Sequence, residues 1–267
     1  MQQKIYPSSF ALPVGPTTDT QYKNGCFRYL KFKSYLPEHF KKFDPMPELN
    51  SAIGVIGEER IRHLLLDRYS AEELLIEEPF KQDLGDDVIV SGRCDFLIKT
   101  ADLIVEVKST KSASVRSKVI NKGELPTSYL GQLLTYMTAF DIAQGEILVQ
   151  YLHLLRDASS LGFVDRTFKV KIDDNSIYID GVEYEHTLSH MLSFYELAKK
   201  YLTTDVMPPR PIKDTPCYYC PFESICNSAT PPTTTQEFKE KVGQLTPDYS
   251  KKFGPPKLPR HNIRKKG

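Results

Sequence analysis

Charged side chains interrupt two apolar runs of the sequence that would each suit a buried strand. In the stretch "GRCDFLIKTADLIVEVKSTK", residues 92–111, Asp95 lies in the first run, and Glu106 and Lys108 lie in the second. Because alternate residues of a strand share a face, Glu106 and Lys108 point the same way, and Asp95 can lie across from them on the neighbouring strand. Burial of an unpaired charge is costly, so something must balance these three groups.

Two carboxylates at one edge of a sheet favour a hard metal ion. Such an oxygen site suits Mg²⁺ or Mn²⁺ with several waters retained. Beside that ion, Lys108 could orient an attacking water or stabilise the charge of a phosphoryl transition state. An isolated ExK triplet is also typical of a surface ion pair on a half-exposed strand, so the interpretation depends on the rest of the sequence.

Hydrophobic periodicity predicts the elements that hold these groups. Residues 51–69 predict an amphipathic helix with an apolar stripe at Ile53, Gly57, Ile61, Leu64 and Leu65. Strand-like runs follow at 73–80, 87–98 and 102–108, and a second helix begins at Pro126 and ends at Gly145. A strand at 146–155, a hairpin at 168–180 and a helix at 188–202 come next. This order predicts an α/β sandwich whose sheet is covered on at least one face.

The second predicted helix carries a polar stripe. Gln132 and Tyr136 are four residues apart and Tyr129 lies three before Gln132, so all three share a face. The opposite face is apolar and holds Leu133, Met137 and Phe140. Taken alone, this stripe is typical of an ordinary helix surface.

Composition sets the class of protein but not the partner. The 267 residues are 40% hydrophobic, enough for a sizeable core, and predict one domain over 1–230 with a basic, flexible tail over 231–267. Lys and Arg total 35 against 34 for Asp and Glu, so the net charge does not indicate a polyanionic partner. No run is apolar enough for a membrane span or a signal peptide, which predicts a cytoplasmic protein.

One segment is locally basic. Residues 108–122 contain Lys and Arg but no acid, and they lead from the ExK strand to the second helix. A DNA backbone could pass there, which makes Lys111, Arg116 and Lys118 predicted DNA contacts together with Tyr129. A solvated loop is the alternative.

In combination, these motifs resemble the PD-(D/E)xK nuclease superfamily. Asp95, Glu106 and Lys108 match its Asp and ExK positions, although Cys94 replaces the proline, and "QLLTY" matches the QxxxY motif of the RecB-like branch. The resemblance implies a restriction-endonuclease-like core sheet flanked by helices. It also implies that Gln132 and Tyr136 line the site and contact DNA.

The resemblance further implies a third metal ligand, a His or Glu from the first helix. Glu58 stands four residues after Gly54, whereas Glu59 points away from the apolar stripe and His63 borders its other side. Glu58 is preferred because the family usually places this ligand four residues after a glycine, and His63 remains the competitor. The predicted metal set is Glu58, Asp95, Glu106 and Val107.

The cysteines suggest a second metal centre. Cys217, Cys220 and Cys226 follow the pattern CxxCxxxxxC, and three clustered thiolates need a fourth ligand for tetrahedral Zn²⁺ or an iron-sulfur cubane. Cys26 is the better candidate, because Cys94 lies within a strand and is most simply a small buried hydrophobe.

One early cysteine and a late cluster, bracketing the nuclease motifs, resemble the iron-sulfur RecB-like nucleases. These include the CRISPR-associated exonucleases of adaptation and the AddB-type nucleases. Over about residues 20–230, the resemblance implies a [4Fe-4S] cluster on Cys26, Cys217, Cys220 and Cys226 that ties the N- and C-terminal ends together. The spacing alone leaves a zinc site open.

The sequence therefore predicts a Mg²⁺- or Mn²⁺-dependent DNA exonuclease that prefers single strands or unpaired ends. Arg28 and Lys31, close to Cys26, would help to guide the strand. The resemblance also implies a partner protein in recombination, repair or CRISPR adaptation. A structure-selective or restriction-type endonuclease is the first alternative. A non-catalytic DNA-binding iron-sulfur module is the second, and the joint presence of Asp95, Glu106 and Lys108 argues against it.

Overall fold

The fold is taken from a computed structural model, which describes residues 2–9, 12–14, 21–23, 26–34, 47–154, 161–209, 222–226 and 231–243. Two of the predicted cluster ligands, Cys217 and Cys220, lie outside these ranges, as does the tail from residue 244 onward. Within them, no helix is long and apolar enough to cross a membrane.

A mixed eight-stranded sheet forms the centre of the molecule. Its strands are β1 (Gln3–Ile5), β4 (Leu74–Gly85), β5 (Val88–Ile98), β6 (Leu103–Thr110), β7 (Gln144–Leu154), β8 (Leu161–Asp173), β9 (Ser176–Ile179) and β10 (Val182–Glu183). They follow the order β1-β5-β6-β7-β8-β9-β10, with β4 on β5. The pairs β1–β5 and β6–β7 are parallel and the others antiparallel. A separate hairpin joins β2 (Leu12–Val14) to β3 (Gln21–Lys23).

Strand β5 changes partner along one edge. Strand β4 pairs with β5 from Val88 to Ile98, so β1 and β6 must share the opposite edge. There β1 pairs with Val88 to Val90, and β6 pairs only with Phe96 to Ile98. Asp95 thus lies at the point where the ladder between β5 and β6 ends.

The helices are α1 (Phe27–Ser34), α2 (Pro47–Leu66), α3 (Ala113–Val115), α4 (Thr127–Ala139), α5 (Leu188–Thr203), α6 (Glu223–Cys226) and α7 (Thr235–Gly243). A π-helical turn, Arg116–Asn121, follows α3. Helix α4 begins after Pro126 as predicted, but it ends at Ala139 rather than Gly145. Gly145 belongs to β7, where a Cβ would stand 2.7 Å from Met137 Sδ, so the glycine lets α4 pack closely on the sheet.

Helices cover both faces of the sheet. On one face, α4 and α5 contribute Leu133, Met137 and Phe194 to the main core. On the other, Ile61 of α2 packs in a second cluster with Phe96, Ile98, Val105 and Val107 among others. The predicted α/β sandwich is confirmed. In the predicted stripe of α2, Ile53 and Ile61 are buried but Leu64 is 43% exposed, so the buried face narrows toward the end of the helix.

A third, smaller cluster joins the two ends of the described chain. Phe32 of α1 stacks on Phe238 of α7 at 3.8 Å between ring centroids and meets Phe222 edge-on at 5.1 Å. Met207 and Ile225 complete this terminal cluster. Helix α7 therefore packs on the domain, although it lies in the range assigned to the tail, because its Phe238 is fully buried. The boundary at residue 230 stays a prediction.

Candidate active site

Asp95 is fixed by the main chain of the neighbouring strand. The ladder between β5 and β6 ends at the pair Phe96 and Val105, and the main-chain amide of Val107 donates a 2.7 Å hydrogen bond to Asp95 Oδ2. The side chain of Asp95 thereby takes over an acceptor role that a strand carbonyl would otherwise fill. This bond holds the Asp95 carboxylate beside Glu106, as the strand geometry predicted.

The backbone across from Asp95 on the other side is strained. Strand β4 pairs Ile76 with Phe96 and Glu78 with Cys94, which leaves Glu77 opposite Asp95 with a φ of 52°. A left-handed backbone costs a non-glycine residue about 1 kcal/mol or more. Strain of this kind tends to accumulate at functional sites, and here it adjoins the candidate metal ligand.

Glu106 is the buried centre of the site. Its side chain is fully buried, and its Oε1 accepts hydrogen bonds from Lys108 Nζ at 2.5 Å and Gln132 Nε2 at 2.7 Å. Its other oxygen, Oε2, is also buried and has no hydrogen-bond donor within the described part of the chain. A buried carboxylate oxygen without a donor is costly, and a cation is the partner that suits it.

The QxxxY pair lies inside the protein. Helix α4 is buried throughout from Leu130 to Met137, so Gln132 and Tyr136 are not part of a solvent-exposed helix face. Gln132 Nε2 also lies 3.2 Å from the Tyr136 hydroxyl, and the Tyr136 ring packs edge-on against Phe80. The motif therefore connects α4 to the carboxylate of Glu106.

Lys108 remains a cation in this setting. Burial lowers the pKa of its ammonium, but the carboxylates of Glu106 and Asp95 outweigh burial, and the net effect raises the pKa. Its Nζ also lies 5.8 Å from the centroid of the Tyr129 ring, within the range of a cation–π contact. A fixed positive charge thus stands beside the two carboxylates.

The carboxylates raise one another's pKa. Burial, and then the charge of Glu106, raises the pKa of Asp95 to about 7. Burial also raises the pKa of Glu106, and burial followed by the charge of Asp95 raises that of Glu58. In the described ranges, no three His, Cys, Asp or Glu side chains form a ready-made metal site. Asp95 and Glu106 alone still fit Mg²⁺, which commonly takes one or two carboxylates and several waters.

A glycine brings Glu58 to this edge of the sheet. A Cβ on Gly57 would stand 1.7 Å from Ser109 Oγ, so helix α2 can approach β6 only because residue 57 lacks a side chain. Gln150 of β7 fixes the contact, since its Nε2 donates to the Gly57 carbonyl at 3.1 Å. Of the two candidate ligands, Glu58 lies close enough to Asp95 for the charge of Asp95 to raise its pKa, whereas His63 is exposed. Metal binding by Glu58, and through Val107, stays a prediction.

Two further residues near Glu58 escaped the sequence analysis. The first is Gln150, which is fully buried and whose Oε1 accepts a 2.6 Å hydrogen bond from Nη1 of Arg60. The second is Arg60, whose Nη2 forms an ion pair with Asp165 at 2.8 Å. The only signal for this network was a glycine inside the apolar stripe of α2, which marks a close approach.

The predicted DNA contacts divide into two groups. Lys111, Arg116 and Lys118 are exposed on the segment that contains α3 and the π-helical turn. The prediction for Lys31 is wrong, because its side chain is 1% exposed and its Nζ donates to the carbonyls of Thr204 at 2.7 Å and Val206 at 2.8 Å.

Arg28, predicted with Lys31, also points toward the C-terminal segment. Its Nε donates to the Pro208 carbonyl at 2.6 Å. These basic side chains of α1 therefore hold the helix against residues 204–208, which the aromatic and basic composition of the segment could not reveal.

The described cysteines occupy different environments. Cys94 is fully buried, and burial raises the pKa of its thiol to about 12, as suits an inert core residue. Cys26 directly precedes α1, Cys226 ends α6, and both are partly buried. Both helices contribute to the terminal cluster, through Phe32 of α1 and Ile225 of α6. The ring of Tyr29 in α1 also lies 5.9 Å from that of Phe222, the residue before α6.

Several solved structures are similar to this chain. The protein SSO0001 is 14% identical over 86% of this chain and 89% of that chain, with a TM-score of 0.48. A phage-related exonuclease from Haemophilus somnus 129PT is 15% identical over 66% and 79%, with a TM-score of 0.41. An alkaline exonuclease from Laribacter hongkongensis is 12% identical over 75% and 90%, with a TM-score of 0.35.

A comparison with curated proteins finds no match. The model of the PD-(D/E)XK nuclease superfamily matches residues 32–227, which is most of the chain and includes Glu58, Asp95, Glu106, Lys108, Gln132 and Tyr136. The chain belongs to the PD-(D/E)XK nuclease superfamily.

Proposed function

We propose that the protein is a Mg²⁺- or Mn²⁺-dependent DNA exonuclease that acts on single strands or unpaired ends. The observation that carries the proposal is Glu106, a fully buried carboxylate with one oxygen tied to Lys108 and Gln132 and the other without a donor among the described residues. The buried oxygen without a partner is the position that a metal ion would occupy.

In this proposal, Asp95 and Glu106 would hold the metal, which would supply Lewis-acid chemistry at a phosphodiester. Gln132 orients the Glu106 carboxylate by its 2.7 Å hydrogen bond. Lys108 keeps its positive charge beside the reacting phosphate, where it can stabilise developing negative charge or orient a water. Glu58 is proposed as a further ligand.

The proposal can be tested with an end-labelled oligonucleotide incubated with and without Mg²⁺ or Mn²⁺. We expect Asp95→Asn, Glu106→Gln and Lys108→Met to lose nearly all cleavage. The matched control is Lys171→Met, since Lys171 also pairs with a carboxylate two residues away, Asp173, but on the exposed part of β8. Wild-type activity in Lys108→Met, or an equal loss in Lys171→Met, would contradict the assignment.

A covalently closed single-stranded circle separates the exonuclease from an endonuclease. An exonuclease leaves the circle intact and degrades the same strand once it is linearised. Cleavage of the circle at a similar rate would establish the endonuclease alternative.

We also propose a [4Fe-4S] cluster on Cys26, Cys217, Cys220 and Cys226. What supports it is the terminal cluster, in which Phe32 of α1, the helix that follows Cys26, packs with Ile225 of α6, the helix that Cys226 ends. A role in recombination, repair or CRISPR adaptation, with a partner protein, rests on the cysteine pattern alone.

A further inference from the structure

Two aromatic side chains, Tyr151 and His153, lie on β7 near its C-terminal end. In the parallel ladder, Val149 is the partner of Lys108 and Tyr151 that of Thr110, so Tyr151 points to the same face of the sheet as Lys108. His153, two residues further, shares that face. The two rings are nearly parallel, at 14°, with centroids 6.0 Å apart. Together, Tyr151 and His153 form what we call the β7 ring pair.

A basic segment borders the β7 ring pair. The guanidinium carbon of Arg116 lies 5.0 Å from the centroid of the Tyr151 ring, a cation–π arrangement. Arg116 opens the π-helical turn, and Lys111 and Lys118 are exposed on the same connection between β6 and α4. Arg116 therefore places a positive charge beside the ring pair.

His153 lies opposite a residue without a side chain, because its partner across the ladder on β8 is Gly162. The Nδ1 of His153 is buried and makes no hydrogen bond within the part of the chain that the structure describes. The ring lies beside that of Tyr151, and both residues are partly exposed.

We propose that the β7 ring pair is a stacking platform for an unpaired base of the DNA substrate, with Arg116 beside the adjoining phosphate. The inference rests on the proposed nuclease function and names the form of DNA that the site accepts. Aromatic rings bind the flat faces of bases, which are free in a single strand but covered in a duplex. The ring pair lies on the face that carries Lys108, so a strand that enters the site would pass over it.

Binding measured without hydrolysis tests this platform. Wild-type protein and variants are titrated in EDTA with a fluorescein-labelled single-stranded 12-mer and with a duplex of the same sequence. We expect Tyr151→Leu and His153→Leu each to weaken single-strand binding about 5- to 150-fold, the range for one base on an aromatic ring, and to change duplex binding about 2-fold at most. Tyr151→Phe should bind like wild type.

The matched control is Tyr178→Leu, the same change at a partly buried position of β9, which should leave both affinities unchanged. Unchanged single-strand binding in both leucine variants, or equal losses for single strand and duplex, would overturn the platform. Because no cleavage is measured, absence of nuclease activity would refute the proposed function without affecting this result.

A second readout needs no substitution. The fluorescence of 2-aminopurine, placed at successive positions of the 12-mer, should be quenched at one position when wild-type protein binds, because stacking on an aromatic ring quenches it. Bright fluorescence at every position of the bound strand would overturn the proposal even if the leucine variants fail to fold.

Discussion

The side-chain amide of Gln132 lies 2.7 Å from Oε1 of Glu106 and so connects helix α4 to strand β6 at the candidate active site. The same oxygen also accepts the hydrogen bond from Lys108, which leaves Oε2 as the oxygen without a hydrogen-bond partner among the described residues. The hydrogen bond from α4 thus helps to leave Oε2 of Glu106 available to a metal ion.

Replacement of Gln132 should damage catalysis more than substrate binding. We expect Gln132→Leu to lower kcat about 10- to 100-fold and to weaken the apparent affinity for Mg²⁺. Loss of a group that orients a metal ligand has effects of this size. Initial rates across a range of DNA and metal concentrations measure both. Gln144→Leu, on an exposed position of β7, is the control. Equal kcat in both variants would contradict the orienting role.

The close packing of α2 on β6 should require glycine at position 57. Because a Cβ there would stand 1.7 Å from Ser109 Oγ, we expect Gly57→Ala to lower the free energy of unfolding by about 1–3 kcal/mol and to reduce activity by displacing Glu58. In the control Gly54→Ala, the nearest atom would be Glu58 Oε1 at 3.8 Å, an ordinary contact. Denaturant unfolding and cleavage rates measure both effects. Similar behaviour of the two variants would refute this account.

Metal binding should release a proton near neutral pH. Burial, and then the charge of Glu106, raises the pKa of Asp95 to about 7. Without metal, the carboxyl group is therefore mostly protonated below about pH 7. A metal competes with this proton, and apparent affinity should therefore rise as the pH goes from about 6 to 8. Titration calorimetry in buffers of different ionisation enthalpy measures the proton release. Affinity that is independent of pH would contradict the prediction.

Lys31 should make stability increase with pH in the alkaline range. Burial lowers its pKa to about 8, against the opposing charge of Asp205, whereas an unfolded lysine titrates near about 10.4. Between these values the unfolded chain binds more protons, so the free energy of unfolding rises with pH. Relative to Lys31→Met, the thermal midpoint of the wild type should increase between about pH 8 and 10. A constant difference would show that Lys31 stays charged.

The cysteine assignment predicts a coloured protein. Iron-sulfur clusters absorb visible light and Zn²⁺ does not, so protein purified without oxygen should be brown. Cys26→Ala should lose the colour and lower the thermal midpoint, because metal binding free energy becomes folding free energy. Cys94→Ala should keep the colour, since Cys94 is buried in the core. A colourless wild type that contains zinc would refute the cluster.

Local rules of sequence predicted much of the site. The two-residue period of β6 places Glu106 and Lys108 on one face, and the four-residue spacing of Gln132 and Tyr136 places them together on α4. The structure brings three of these together directly through the hydrogen bonds at Glu106. The strands and the long helices were predictable for the same reason, because their patterns depend on neighbours along the chain.

Contacts between distant elements could not be predicted. Nothing near Lys31 in the sequence indicates that its ammonium meets carbonyls at residues 204 and 206, and Gln150 has no neighbour that marks it as the partner of Gly57. Gly145 was misread as a helix end because a glycine that permits close packing looks the same in sequence as one that ends a helix.

The attachment of the chain's beginning to its end also affects how the protein folds. The hydrogen bonds from Gln3 to Leu202, Arg28 to Pro208 and Lys31 to Thr204 span 199, 180 and 173 residues. Contacts of such high sequence separation slow folding, because a long loop must close before they form. During synthesis, α1 lacks its stacking partner Phe238 until that residue has left the ribosome. Until then, the newly made protein exposes Phe32 and depends on the remaining core to avoid aggregation.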